Sequence, residues 1–432
     1  MSSHDAGVVT TETSLKVSEW QKQDTIWMLG LYGTAIGAGV LFLPIDAGMN
    51  GLWPLLIMAV LAFPMTYFSH RALCRFVLSG SKPKADITAV VDEHFGALAG
   101  KVLTFLYFFA IYPLLLMYSV AITNTTQSFL INQLGITPPS RAVLSITLIL
   151  ALMAVIRVGQ QFVVKAMSVL VYPFITMLML LALYLIPHWN GAILNQSAAI
   201  DPNGHGLLMC LWLIIPVMVF SFNHSPIISS FAVHQKQQYG QDADRRSNQI
   251  LRYSHLMMVV TVLFFVFSCV FSLSPQDLAE AKRQNITILS YLANHFNNPL
   301  IAYAAPCIAF IAISKSFLGH YLGASEGMHG LLIKSMAKKH IEADGKRYQL
   351  YLAIDIFIII TCWIVATINP SILRMIETLG GPVIAMILFL LPMYALLKVP
   401  AMKPYRHRIT DGFITVIGLI AISAILYGLI SW

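Results

Sequence analysis

The chain has 432 residues, of which 57% are hydrophobic and only 11% are charged. Soluble globular proteins carry about 25% charged residues, and the apolar residues of this chain lie in long blocks rather than at amphipathic spacing. A soluble domain is therefore excluded, and the composition is that of a polytopic membrane protein.

Polar stretches and glycine or proline residues divide the sequence into apolar segments of the length needed to cross a membrane as a helix. The preceding residues 1–24 are predicted to form a polar tail, without the apolar stretch of a signal peptide. Eleven spans are predicted near 26–44, 52–73, 102–124, 141–156, 166–186, 206–233, 255–273, 300–323, 350–368, 380–397 and 411–431. The polar stretch 275–298 is too polar to span and predicts one or two short helices over one end of the bundle.

Basic residues are distributed very unevenly between the predicted loops. Of the 27 lysines and arginines, only Arg141, Lys282, Arg283 and Arg374 fall in loops opposite the side that bears the N-terminus, and Lys315 lies inside a span. All the others lie on the side of the N-terminus. Because inner loops carry the excess of basic residues, the N-terminus is predicted to be inside and the C-terminus outside. This asymmetry also explains the net charge of +8, so a nucleic-acid partner is not predicted.

The first span contains three glycines in the sequence GTAIGAGVLFLP, residues 33–44. Gly33 and Gly37 have the spacing of close helix packing. Gly39 does not fit that explanation, because a rotation of 100° per residue places it about 200° from Gly37. Glycines on opposite faces weaken the helix by about 1 kcal/mol each relative to alanine. The pattern predicts a break in span 1.

The sixth span contains the sequence FSFNHSPIISSF, residues 220–231. Polar residues and a proline lie together near the middle of this span. Pro226 has no N–H, and its ring is expected to leave the carbonyl group of Phe222 free. A simple proline kink, with serines bonded back to the helix, is the alternative to a true break.

Breaks in spans 1 and 6 occupy equivalent positions in two sets of five helices. In lipid, non-helical backbone persists only where it lines a cavity or binds something, and paired interruptions indicate a transporter's binding site. The predicted fold is an all-α membrane protein with a 5+5 inverted repeat and discontinuous helices 1 and 6. The single transmembrane domain, 25–432, divides into repeats at 25–187 and 206–398 and an extra helix at 409–431.

The helix ends at the two breaks offer complementary groups. The outer half of span 1 begins near Gly39 and presents free N–H groups and a positive dipole end. Free carbonyl groups are expected near Ser221 and Phe222 and at the end of the inner half of span 1. Donors for a carboxylate and acceptors for an ammonium group favour an α-amino acid zwitterion as ligand.

Lys315 lies near the middle of span 8, where a charge is costly and is usually functional. It is predicted to be a coupling group, either a proton carrier or a tethered cation in place of a sodium ion. A structural lysine bonded to helix-end carbonyls is the alternative. For His224, a substrate contact, a proton carrier and a structural polar residue all stay open.

Carboxylates at the predicted span ends are expected to have ordinary roles. Asp46 and Glu377 are expected to be solvated, with a gate role as the alternative. Asp355 is expected to pair with a loop lysine. The sequence contains no catalytic, nucleotide-binding or metal-ligand motif of the common kinds, so neither an enzyme nor a metal site is predicted. Without an ATP site, an ion gradient or the solute's own gradient is the expected driving force.

Several long motifs resemble the bacterial hydroxy and aromatic amino acid permeases, and among them the proton-coupled serine carriers. They include DTIWMLGLYGTAIGAGVLFLPIDAG, VMVFSFNHSPIISSFAV, QNITILSYLANHF, KSFLGHYLGASEG and NPSILRMIETLGGPVIAMILFLLPMYA. The family is similar in architecture to LeuT-type carriers. Its threonine-carrying members typically have phenylalanine at the position of His224. The resemblance implies import of L-serine with H⁺ across the bacterial inner membrane by alternating access, with a periplasmic C-terminus and no cofactor or protein partner.

The resemblance and the two breaks together predict the binding residues. The carboxylate of serine is expected on the N–H groups of Gly37, Ala38 and Gly39. The ammonium group is expected on the carbonyl groups of Thr34, Ala35, Ser221 and Phe222, and the hydroxyl group on Asn223, His224 or Ser225. Lys315 and His224 are the predicted coupling residues.

Other functions remain compatible with the sequence. Within the same class they are a serine/threonine carrier coupled to Na⁺ and an amino acid exchanger. In a different class, a receptor or sensor would bind an amino acid without moving it.

Overall fold

The computed structural model of the protein describes residues 19–49, 51–157, 160–195, 207–335 and 344–430. Within these ranges all regular secondary structure is helical, which confirms the all-α class predicted from the sequence. Most of the predicted N-terminal tail lies outside the described residues.

Sixteen helices in these described ranges carry the architecture. They are α1 (Lys22–Ala35), α2 (Leu43–Met49), α3 (Leu52–Leu78), α4 (Ile87–Phe95), α5 (Ala97–Asn132), α6 (Arg141–Arg157), α7 (Gln160–Leu185), α8 (Leu207–Ser221), α9 (Ser225–Tyr239), α10 (Ala243–Ser272), α11 (Pro275–Arg283), α12 (Ile288–His295), α13 (Pro299–Ser335), α14 (Asp344–Ile368), α15 (Ile372–Lys398) and α16 (Arg408–Ile430). Short 3₁₀ segments join some of them, and the one at Ala38–Leu41 connects α1 to α2.

Eight helical segments in the described ranges are long and apolar enough to cross a membrane, or nine when the bent pair α1 and Ala38–Met49 counts as one span. The chain is therefore a multi-pass membrane protein. Helices lie over all eleven predicted ranges, but α6 and α8 are short, so the count of eleven spans stays a prediction.

The polar stretch 275–298 folds as predicted, into the two short helices α11 and α12. Ser274 begins α11 with a capping box, in which its hydroxyl accepts from the N–H of Asp277 while the Asp277 carboxylate accepts from the N–H of Ser274. Such reciprocal bonds satisfy N–H groups that a helix start leaves unpaired. Thr287 begins α12 in a similar way, by accepting from the N–H of Ser290.

The long helices α5 and α13 pack along each other, and α3 packs against both α9 and α10. The 3₁₀ segment Ala38–Leu41 contacts α8 and α13. These contacts bring the middles of the first, sixth and eighth predicted spans together inside the bundle.

Helix α15 begins at Ile372, earlier than the predicted start near 380, and includes two π-helical segments at Ile376–Gly380 and Met386–Leu390. A side chain at Gly381 would place its Cβ 2.2 Å from the carbonyl oxygen of Pro216. The glycine therefore permits α15 to pack against the backbone of α8.

Candidate functional site

The break predicted in span 1 is present. Helix α1 ends at Ala35, and Ile36 and Gly37 have extended backbone before the 3₁₀ turn begins at Ala38. The helical segments on the two sides of these residues are bent by 44° relative to each other. Helical backbone resumes at Ala38, one residue before Gly39, near which the start of the outer half was predicted.

The glycines of this segment permit close packing on three sides. An added Cβ at Gly33 would lie 2.5 Å from a methyl group of Val171, and one at Gly37 would lie 3.0 Å from Ser316 Oγ. At Gly39 it would lie 2.8 Å from the ring of Phe220. Gly39 thus has a packing role, which its position on the opposite face did not suggest.

The break predicted in span 6 is also present. Helix α8 ends at Ser221, and α9 begins at Ser225 with His224 as its N-cap residue. Pro226 lies in the first turn of α9, where a missing N–H costs nothing, so this is a helix start and not a proline kink. The expectation that Pro226 frees the Phe222 carbonyl is wrong in its mechanism: α8 has already ended, and that oxygen accepts a hydrogen bond from Nδ1 of His224 at 3.2 Å.

The two breaks are in direct contact. The hydroxyl group of Ser221 donates to the carbonyl oxygen of Gly39 at 3.2 Å, and Phe220 packs where Gly39 has no side chain. Both Ser221 and Gly39 are buried. The end of α8 is therefore held against the start of the outer half of span 1.

Lys315 is buried and lies against the end of α1. Its ammonium group donates to the carbonyl oxygens of Gly33 at 3.0 Å and of Ile36 at 3.2 Å. These carbonyl groups lie at the C-terminal end of α1, where the helix dipole is negative and carbonyl groups have no partner within the helix. A cation is therefore stabilised at this end of the break.

Ser316 was not identified from the sequence, and it is bonded to one of the N–H groups predicted to bind the substrate carboxylate. Its hydroxyl accepts from the N–H of Ala38 at 3.1 Å. His320 donates from Nδ1 to the carbonyl oxygen of Ser316 at 2.8 Å, and its ring lies edge-on to Tyr118 with the centroids 4.9 Å apart. The only feature of the sequence that could have indicated Ser316 is its place next to Lys315 in the apolar span.

Other predicted binding residues have local partners. The side chain of Asn223 is half-buried and accepts from the N–H of Ser225 at 3.0 Å. Thr34 is exposed, and its hydroxyl donates to the carbonyl oxygen of Gly30 at 2.7 Å. Ala35 is buried at the end of α1.

The ring of His224 lies in a cluster of three buried histidines, together with His70 of α3 and His255 of α10. It stacks on His70 with a centroid distance of 3.7 Å and an interplanar angle of 3°, and lies 4.7 Å from the ring of His255. Within the described residues, one ring nitrogen of each histidine lies within 4.8 Å of those of the other two. His70 and His255 were not identified from the sequence.

The expectations for the outer carboxylates are wrong. Asp46 and Glu377 are buried rather than solvated. Glu377 lies inside the helix because α15 begins at Ile372, and it forms an ion pair of 3.2 Å with Lys282 of α11. Asp355 pairs with Arg157 at 2.8 Å, not with a loop lysine.

Comparison with known protein families identifies the chain. Residues 26–430 match the model of the tryptophan/tyrosine permease family. The chain belongs to this family. The resemblance found in the sequence motifs is thereby confirmed, and as a family of permeases it is one of transporters, not enzymes.

Among the members of the permease family, the chain is similar to the serine transporter SdaC of Escherichia coli strain K12, with 63% identity over 430 residues that cover 98% of this chain and 100% of that protein. The serine transporter SdaC of Shigella flexneri is 62% identical over the same shares of both chains. The similarity thus extends over the whole transmembrane region.

Among solved structures, the fold of this permease is similar to that of two variants of a manganese transporter from Eremococcus coleocola. Each has a TM-score of 0.61 and 14% identity, with 94% of this chain and 85% of the other covered. At this identity the likeness concerns the fold alone.

Proposed function

We propose that this protein imports L-serine together with H⁺ across the bacterial inner membrane, by alternating access around the paired helix breaks. The observation that carries the proposal is the direct contact between the two breaks, at Gly39 and Ser221, inside the bundle. The choice of serine is supported by the named function of relatives that are more than 60% identical over the full chain.

In the proposed binding mode, the backbone holds both charges of the zwitterion. The carboxylate accepts from the N–H groups of Gly37 and Gly39. The third predicted donor, the N–H of Ala38, is bonded to Ser316 in this structure and would bind the carboxylate only after that bond opens. The ammonium group donates to carbonyl groups near the ends of α1 and α8, where Thr34, Ala35, Ser221 and Phe222 are the proposed acceptors. Helix ends provide such groups without any charged side chain.

The serine hydroxyl is proposed to bind beside the break of span 6. Asn223 and Ser225 are the polar side chains nearest in sequence to that break, and His224 contributes by fixing the Phe222 carbonyl. Asn223 is half-buried and has an amide group able both to donate and to accept.

Coupling is proposed to use H⁺ rather than Na⁺. The ammonium group of Lys315 already provides a positive charge at the carbonyl oxygens of Gly33 and Ile36, and a sodium ion at these oxygens would be repelled by it. Lys315 therefore acts as a tethered cation in the coupling machinery.

The proposed topology is the one predicted from the sequence. The fold is LeuT-like, with eleven spans, repeats at 25–187 and 206–398, a cytoplasmic N-terminus and a periplasmic C-terminus. The positive-inside distribution of lysine and arginine supports this orientation.

Uptake of labelled serine by purified protein in liposomes tests the substrate. We expect saturable uptake that unlabelled serine inhibits and that is absent from empty liposomes. Binding of serine without uptake would instead indicate a receptor, and threonine competing as well as serine would indicate the broader carrier.

A further inference from the structure

The cluster of His70, His224 and His255 adjoins the break of span 6 through His224. The proposed binding mode uses only Nδ1 of His224 and gives the three Nε2 atoms no role. All three side chains are fully buried. They come from three different elements, α3, the N-cap of α9, and α10. A cluster of three imidazoles inside a membrane protein requires a reason, because polar groups at this depth are costly and usually functional.

The hydrogen bonds of the cluster define which nitrogen of each ring carries a proton. Nδ1 of His70 lies 2.7 Å from the carbonyl oxygen of Thr66, and Nδ1 of His255 lies 2.6 Å from that of Leu251. Nδ1 of His224 has the same relation to the Phe222 carbonyl. Because a carbonyl oxygen only accepts, each Nδ1 is the donor, and each Nε2 carries a lone pair in the neutral ring.

The three Nε2 atoms differ in what they contact. Nε2 of His70 accepts from the backbone N–H of His224 at 3.3 Å. Within the described residues, Nε2 of His224 and Nε2 of His255 have no hydrogen-bond partner. A buried acceptor without a hydrogen-bond partner is costly, because it has lost its bonds to water, and it calls for an explanation. Two such acceptors in one cluster indicate a binding site for a positively charged ligand that is small enough to fit.

The stacking of the rings decides between a metal ion and a proton. The lone pair of an imidazole nitrogen lies in the plane of its ring, and the rings of His70 and His224 are parallel and 3.7 Å apart. Two parallel lone pairs in separate planes do not converge on one metal ion. A proton needs only one lone pair.

We propose that the histidine cluster is the proton-binding site of the transporter. When serine binds, one proton is taken up on the open Nε2 of His224, and the lone pair on Nε2 of His255 is required to stabilise the charge. This inference rests on the proposed function. A second proton is opposed by the short distances between the rings, since two cations at this separation in a buried site repel strongly. The step is a proton transfer from hydronium to one imidazole lone pair: an N–H bond forms, one O–H bond of hydronium breaks, and a water molecule is released.

The charged side chains of α3 are engaged away from the cluster. On α3, Arg71 lies over the rings of Tyr67 and Phe68, and Arg75 pairs with Asp244 of α10 at 2.8 Å. Of these, only Tyr67 meets the cluster, with its ring 5.9 Å from that of His255 and its hydroxyl bonded to Asn248.

Further titratable groups lie on α1, on α9 and near the C-terminal end of α3. Lys236 of α9 donates to the carbonyl groups of Leu78 and Gly80, and Asp24 of α1 bonds Tyr239 and pairs with Arg246. Cys74, one turn beyond His70, is a buried free thiol. The described residues therefore provide no carboxylate counter-ion in the cluster, and the added proton is held by the imidazoles.

The position of His224 connects the proton to the substrate. Its Nδ1–H bonds the carbonyl group of Phe222, which belongs to the break that is proposed to bind serine. Protonation of Nε2 turns this into a charge-assisted bond, which is stronger than a neutral one. Proton uptake therefore fixes the break, and by linkage serine binding favours proton uptake.

The test is calorimetric titration of serine into the purified protein in buffers of different ionisation enthalpy, which counts the protons taken up per serine bound. We expect about one proton in the wild type. His255→Asn keeps a donor at the position of Nδ1, facing the Leu251 carbonyl, but removes Nε2, so we expect it to bind serine with the proton count reduced to near zero. His188→Asn is the matched control, because His188 is exposed in the 3₁₀ segment that follows α7. The wild-type proton count is expected in this variant.

A wild-type proton count in His255→Asn overturns the proposal, and so does one-site binding of Zn²⁺ to the wild type that this variant abolishes. His255→Gln provides a second variant if His255→Asn does not fold. Absence of serine binding to the wild type would instead refute the proposed function, so the two failures are distinguishable.

Discussion

The ammonium group of Lys315 donates to the carbonyl oxygen of Ile36, 3.2 Å away, at the residue where the first helix is interrupted. The positive charge of Lys315 in one span thus lies at the negative end of the helix dipole of another span. The contact links Lys315 to the shape of the proposed binding site.

Replacing Lys315 by alanine is expected to abolish accumulation of serine against its gradient. The carbonyl groups of Gly33 and Ile36 would lose their partner, which costs about 1–3 kcal/mol for a buried group, and the tethered charge would be gone. The accumulation of serine under an imposed pH gradient is the quantity to measure. Lys398→Ala, at an exposed end of α15, is the control, and concentrative uptake in Lys315→Ala would remove this residue from coupling.

A methyl group at Gly39 is expected to weaken serine binding. The added Cβ would lie 2.8 Å from the ring of Phe220, and overpacking of this kind destabilises by about 1–3 kcal/mol. The control is Gly30→Ala, because a Cβ there meets no atom within 4 Å. Equal serine affinity and equal thermal stability in both variants would show that the contact between the breaks is not needed.

Alanine is expected to bind more weakly than serine. The site is proposed to pair the substrate hydroxyl with buried polar groups, which alanine would leave without a partner. The cost is about 1–3 kcal/mol of binding free energy, which corresponds to about a 5- to 150-fold loss of affinity. Competition against labelled serine measures the ratio. Alanine that competes as well as serine would refute the assignment of Asn223 and Ser225 to the hydroxyl.

The ion pair of Lys282 and Glu377 joins the short helix α11 to α15. Glu377→Gln removes the charge from the buried partner, and we expect a lower melting temperature, with about 1–3 kcal/mol lost. Glu280→Gln on the same helix is the control, since Glu280 pairs only near the surface with Arg283. An unchanged melting temperature in Glu377→Gln would show that the pair does not hold these helices together.

The pH dependence of transport is not expected to involve Glu280. Hydrogen bonds from Arg283 and Gln284 lower the pKa of Glu280 from 4.5 to about 2. The stabilisation from this carboxylate is therefore fully present above pH 4.5 and is lost only as the pH falls towards 2, below the range of about pH 5 to 8 in which histidines titrate. The pH profile of uptake by Glu280→Gln should match that of the wild type, and a shifted profile would contradict this.

The breaks and their partners differ in how far the sequence could predict them. Each break could be predicted because the residues that interrupt the helix lie at the break itself, namely the glycines of span 1 and the polar residues around Pro226 in span 6. The short helices α11 and α12 were predictable for the same reason. The contact of Ser221 with Gly39 could only be expected from the symmetry of the two interruptions.

The histidine cluster could not be predicted, because residues 70, 224 and 255 share no spacing in the sequence. His70 and His255 lie close to basic residues in their helices, which suggests an ordinary position near the membrane surface. Only the packing of α3, α9 and α10 brings the rings together. Glu377 was misjudged for a related reason, since the early start of α15 buried a carboxylate that a shorter helix would have left in a loop.

Uptake of serine into liposomes under separately imposed H⁺ and Na⁺ gradients tests proton-coupled serine transport most directly. An inward H⁺ gradient is expected to drive serine above its equilibrium distribution, and an inward Na⁺ gradient without a pH difference is not. Accumulation driven by Na⁺ alone, or movement of serine only in exchange for serine inside, would contradict proton coupling.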